Sequence, residues 1–236
     1  MKKLLFTFIA AMLVFCGCNK TKQFEVAFNL NNADGQTLYL CKTVNGNDVV
    51  LDKAIVTNNQ VVLTAPYDDP QTLYIVKFNE NDRCGVYTFF SENQNIKVKG
   101  DRNDMPHWMA KGCPAMDELE AFHEKSLAQF EDPLMALNKE VMMAYEEGDT
   151  VRGAETNARI MPLFQAYLDN KVAFIKSHSD SFLGAYMLDM TKEELDLELV
   201  KTLAAGFTTE SVFSKNVQEY IDNGGLSTGH ACCVVE

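Results

Sequence analysis

The hydrophobic period of this chain changes once, near its middle, and that change constrains the fold more than any single motif. Before it, apolar residues alternate. Gln23–Leu30 puts Phe24, Val26 and Phe28 on one face, the period-two pattern of a half-buried strand. Thr37–Lys42, Val49–Thr57, Gln60–Ala65, Thr72–Phe78, Gly85–Phe90 and Asn95–Lys99 read as further short strands. Turn residues separate them: Asn31-Asn32-Ala33-Asp34-Gly35, Asn45-Gly46-Asn47, and Asn58-Asn59, which tolerates the positive φ of a tight hairpin. Asp101–Gly112, with Pro106 and the single tryptophan Trp108, reads as a break. Beyond it the spacing becomes three-four. Leu119, Phe122, Leu127, Phe130, Leu134, Leu137 and Val141 share one helix stripe. At Pro133 either Asp132 caps a new helix or the rod bends. A second stripe runs from Val151 to Lys176, with a bend expected at Pro162, and pairs antiparallel with the first. Ser179–Met190, Lys192–Ala205 and Ser211–Tyr220 are shorter helices, the last stopped by Gly224-Gly225. The expected class is α+β: an antiparallel β-sandwich or open barrel of about seven strands over residues 19–112, then a helical domain over 113–223. Residues 224–236 form an aperiodic tail.

The N-terminus has its own logic. Lys2 and Lys3 precede an apolar run, Leu4–Phe15, and polarity returns at Asn19. A helix of that length covers about 18 Å where a bilayer core needs about 30 Å, so the run reads as an export signal and not a span. Phe15-Cys16-Gly17-Cys18 resembles a bacterial lipobox. That resemblance makes residues 1–18 a signal peptide ending at Cys18, the lipid-bearing first residue of the mature chain. Phe15 and Cys16 depart from the commonest form of the motif, and bulky Phe15 disfavours Cys16 as the modified residue. The expected location is the cell envelope, anchored by lipid, on the outer membrane facing the periplasm. Two or three acyl chains would hold the protein firmly where one would not.

Charge narrows the partners. The chain carries a formal net charge of −12, and loss of Lys2 and Lys3 with the signal makes it more negative. Such a surface repels phosphate backbones, so nucleic acid is excluded as a partner. Apolar residues at 47% and charged ones at 23% are ordinary for a folded domain, so disorder is excluded too. The chain has seven cysteines, spaced in neither a zinc pattern nor a disulfide framework. Cys41, in an apolar strand, reads as a small core residue.

Few residues suggest chemistry. Cys232 and Cys233, with His230 nearby, form a candidate thiol-exchange or soft-metal site, though no helix start is there to lower a thiol pKa. Glu120 and His123 have the Glu-x-x-His spacing of di-iron bundles but lack the second copy such sites need; a solvated charged face accounts for them better. His107-Trp108 stands where the two halves meet, either lining a groove or plugging the core. Asp149-Thr150-Val151 resembles a short O-glycosylation acceptor used on exported proteins, with Thr150 in an exposed turn. No Gly-x-Ser-x-Gly, phosphate loop or zinc-protease motif is present. No cofactor is expected.

The order of these features resembles the domain of unknown function at the head of many envelope lipoproteins, where it precedes a thioredoxin-like thiol–disulfide domain. The likeness rests on QFEVAFNL after the lipobox, NNADGQTLYL, the hairpin VVLDKAIVTNNQVVLTAP around Asp52, FFSENQNIKVKG, KGCPAMDELEAF and VAFIKSHSDSFLGAYML. The longer relatives carry a C-x-x-C redox motif, and none occurs here. The resemblance thus implies a location and an architecture but no catalytic residue. The expected function is a membrane-anchored, non-catalytic binding or scaffold module whose partner is another envelope protein, one of thiol–disulfide type by the resemblance. The alternative is an accessory thiol or metal protein acting through Cys232 and Cys233. An enzyme with a site at the module junction ranks third.

Overall fold

Among the described residues the alternating first half does form strands, eight of them, in two four-stranded sheets. The computed structural model describes residues 22–44, 47–81 and 86–226. One sheet has the order β4-β1-β7-β8 and is built from β4 (Gln60–Pro66), β1 (Gln23–Asn31), β7 (Ile96–Asp101) and β8 (Asp104–Lys111). The other has the order β3-β2-β5-β6, from β3 (Asn47–Ile55), β2 (Thr37–Val44), β5 (Tyr74–Lys77) and β6 (Tyr87–Phe89). Phe24, Val26, Phe28 and Leu30 of β1 are all buried, and the residues between them are exposed. Across the sandwich the Phe24 ring meets Tyr74 of β5 edge-on, centroids 4.9 Å apart.

Two expectations need correction. Asp104–Lys111, read as a break, is an edge strand in which Trp108 and Ala110 point inward. Pro106 hid it, because proline cannot donate to a ladder; an edge position makes that harmless. The sheets are also not wholly antiparallel, since β1 and β7 run parallel, with Val26 opposite Ile96. The chain leaves the first sheet for β5 and β6 and re-enters beside the start of β1, where Asn95 Oδ1 accepts from the Glu25 N–H at 2.9 Å. It therefore proceeds in the direction of β1.

The β3–β4 connection passes between sheets through Asn58 and Asn59, at φ 52° and 61°. Asp52 pins that crossing. Its Oδ2 accepts from the Thr64 N–H at 2.8 Å and from the Thr64 hydroxyl at 3.2 Å.

The helical half starts with a single rod. It comprises α1 (Pro114–Ser126), a π-helical turn (Leu127–Glu131) and α2 (Asp132–Glu146). No cap forms at Asp132, because Glu131 before it keeps helical angles. The wide turn accommodates Pro133, which has no N–H to offer the preceding turn and whose ring crowds it. The return arm is two helices, not one bent helix: α3 (Thr150–Asn157) and α4 (Ile160–Ser177). Pro162 lies in the first turn of α4, where a missing N–H costs nothing, and the break falls at Ala158–Arg159. Asp149 caps α3, accepting from the Arg152 N–H at 3.0 Å. The upstream part of the expected second stripe is open to solvent, with Val151 68% and Met161 67% exposed.

Three more helices, α5 (Phe182–Thr191), α6 (Leu197–Ala204) and α7 (Val212–Asp222), pack against the sandwich. A short 3-10 turn, Lys192–Glu194, follows α5. Phe90, just beyond β6, joins the layers: its ring lies edge-on to Phe182, Tyr186 and Phe213 at 5.2, 5.1 and 5.9 Å. Gly224 and Gly225, at φ 68° and 86°, end α7. One continuous buried cluster thus runs from the strands into α5, α6 and α7.

Candidate functional site

Where the rim of the sandwich meets the helices, a cavity of about 550 Å³ opens. That is within the usual range for small-molecule sites. Its walls come from β6 and β8 on the sheet side and from α1, the π turn, α4 and α5 on the helical side. They are mostly apolar. Met105, Met116, Met187 and Met190 supply soft thioether surface, and Tyr87, Phe122 and Tyr186 supply rings. Met190, 60% exposed, stands at the mouth.

Glu120 is the polar centre of this space. On α1 it comes four residues after buried Met116 and seven before buried Leu127, so the helix turns it inward with the apolar stripe. It is 4% exposed. Its Oε1 accepts from the Tyr87 hydroxyl at 2.5 Å and from the Ala110 N–H at 2.9 Å, clasping α1 to β6 and β8. Its Oε2 is buried with no hydrogen-bond partner among the described residues. Burial holds the carboxyl above the ordinary carboxylate range, against the opposing pull of the two bonds it accepts. The Tyr87 phenol is pushed up by its own burial and then by the Glu120 charge.

Other polar groups line the same walls. Thr191, fully buried at the end of α5, also has an Oγ1 without a partner among the described residues. Lys171 of α4 is nearly buried; its Nζ pairs with Glu194 Oε2 at 3.0 Å and lies 4.2 Å from the Tyr167 ring centroid. The Tyr167 hydroxyl donates to Glu131 Oε1 at 2.9 Å, and burial raises that phenol's pKa. His123 donates from Nε2 to the Pro106 carbonyl at 2.9 Å. Among the described residues the cavity therefore carries three carboxyl groups against one ammonium, and the ammonium is already paired.

The residues singled out in the sequence fall unevenly. Glu120 is not on a solvated face, as expected, but is a buried carboxyl. It and His123 turn to separate partners. Among the described residues no group of three or more His, Cys, Asp or Glu side chains is placed to hold a metal ion. Trp108 is a plug: fully buried, its Nε1 donates to the Asp101 carbonyl at 2.7 Å. The indole lies so close over Gly100 that a Cβ there would sit 2.2 Å from it. His107 instead bridges Asp104 and Asp132, at 2.6 and 3.3 Å. Thr150 is exposed at the first position of α3. Cys41 and Cys113 are buried free thiols, both raised in pKa by burial. Cys18, His230, Cys232 and Cys233 lie outside the described residues. Tyr87, Lys171 and Thr191 were not anticipated. The one available signal was a carboxylate, Glu120, standing at an apolar stripe position.

A strand sandwich roofed by helices, with a walled cavity at their junction, defines the fold as α+β. Residues 24–119, the strand-rich module and the start of α1, match the family model described as a domain of unknown function (DUF4369). No curated protein and no solved structure matches the chain.

Proposed function

We propose that the protein is an envelope lipoprotein, tethered through Cys18, that serves as a non-catalytic binding module with the junction cavity as its ligand site. The cavity carries this reading. Its walls are mostly apolar and its volume is that of a small-molecule site, with Glu120, Lys171 and Thr191 among the polar residues that line it. The lipobox resemblance supports the tether, and the resemblance of the strand-rich module supports a thiol–disulfide envelope protein as partner.

Two measurements test the two parts. In cells fed radiolabelled palmitate, the wild type should take up label and sediment with membranes, and Cys18→Ala should do neither. An unlabelled wild type would sink the tether. For the cavity, a methyl NMR titration of methionine-labelled protein with a mixed fragment set should move Met105, Met116 and Met187 together. Shifts confined to exposed methionines such as Met135 and Met142 would sink the ligand site.

A further inference from the structure

The direction of β1 and the short stretch of chain before it decide which end of the molecule meets the bilayer. Resting on the tether proposed above, we infer that the pole where β1 begins faces the lipid surface and that the hairpin of α2 and α3 stands away from it. Three observations carry this.

The first is reach. Four Cα steps separate Cys18 from Lys22, where the described chain begins. Whatever their path, they span at most about 14 Å. β1 rises about 26 Å from Gln23 to Asn31, so the anchored residue can reach the start of the strand and not its end. The segments at that start form one pole. The Tyr67 N–H donates to the Lys22 carbonyl at 2.8 Å, and the Val212 N–H to Gln71 Oε1 at 3.3 Å. Val44 and Val212, 40% and 51% exposed, line one groove there with Asp68 and Gln71.

The second is the course of the helical rod. β7 runs parallel with β1, and the register of β8 against β7 puts Lys111 at the starting pole and Asp104 at the far end. The rod sets out from the starting pole, where the Ala115 N–H donates to Glu92 Oε2 at 3.4 Å. It then passes Ala110 at Glu120, Pro106 at His123 and His107 at Asp132. At Asp132 it has therefore reached the far end of the sandwich, and the length of α2, about 22 Å, projects beyond. Along the rod the hairpin tip stands about 50 Å from the starting pole. Met105 and Pro106 place one wall of the junction cavity at the far end too, away from the lipid.

The third is charge. Between Cys18 and Phe24 there are two lysines, Lys20 and Lys22, and no acid. Val141–Asn157 carries Glu146, Glu147, Asp149 and Glu155 against Arg152 alone. An anionic leaflet attracts the first segment and repels the second. The exposed Met142, Met143, Tyr145 and Val151 of the hairpin accordingly turn away from the bilayer despite their apolar surface.

The test places the acylated protein, labelled at valine and methionine methyls, on discs of phosphatidylethanolamine and phosphatidylglycerol that contain a nitroxide-headgroup lipid. The methyl signals of Val44 and Val212 should broaden about tenfold or more strongly than those of Met135, Met142 and Met143, since the rod holds the two groups tens of ångströms apart. Equal broadening, or stronger broadening at the hairpin, overturns the inference and leaves the tether standing. Cys18→Ala should broaden at neither place, and a pole that still broadens in it overturns reach as the cause. Protein that bears no acyl mass and leaves the discs sinks the tether, and this inference with it.

Discussion

Glu120 occupies a position that helix geometry reserves for an apolar side chain, and its titration reports that conflict. The folded protein holds the Glu120 proton more tightly than the unfolded chain does, because burial raises its pKa above the ordinary carboxylate value. Its contribution to stability is therefore fully present below the unfolded carboxylate pKa and is lost as pH rises through the folded one. Glu120→Gln keeps an acceptor for Tyr87 and Ala110 and removes the ionisation. At pH 8 the variant should be more stable than the wild type by about 1 kcal/mol, or about 2–4 °C in Tm. Near pH 4 the two should melt together. Thermal unfolding across that range checks it; a variant less stable at pH 8 would show that the carboxylate itself holds α1 to the sheets. The sequence showed this residue at Glu-x-x-His spacing without the second copy a metal site needs, which read as a solvated charged face. Its place on the Met116–Leu127 stripe was the better guide. The partners that define its role, Tyr87 and Ala110, lie 33 and 10 residues away, and no local pattern links them.

Among the elements, turn chemistry was the most legible feature. Asn58-Asn59 adopts the positive φ angles its composition allows, and Gly224-Gly225 ends α7. Proline was the least legible. Pro106 concealed an edge strand, Pro133 follows a π turn, and Pro162 opens a helix it was expected to bend. In each case proline only forbids a donor at that position; the neighbouring element decides whether that matters. The hairpin of α2 and α3 stands out from the core. Over its outer part only Ala144, Gly153 and Thr156 are buried, whereas Met142, Met143, Tyr145 and Val151 are exposed. Few buried contacts imply a low local opening energy. Amides of Val141–Asn157 should exchange roughly tenfold or more faster than those of α5, which buries most of its length. Hydrogen exchange by mass spectrometry resolves the two segments, and equal protection would mean that something covers the hairpin in solution.

Across the molecule, strands and helices share one core, joined at Phe90 and at the Glu120 clasp. The two halves should therefore unfold together. Trp108 reports on the sandwich and far-ultraviolet circular dichroism on the helices. Their denaturant transitions should coincide, and separated midpoints would reveal two independent units. The amino-acid pattern by itself determined the α+β class, seven of the eight strands, the place where the period changes and the turns, because these depend on residues near one another in the chain. It also supplied the whole basis for the proposed envelope tether, which rests on the Cys18 motif alone. Only the tertiary structure decided the parallel pairing of β1 with β7, the burial of Glu120 and the cavity. Each of these is made by segments far apart in sequence, brought together when the sandwich and the helices bury a common apolar surface.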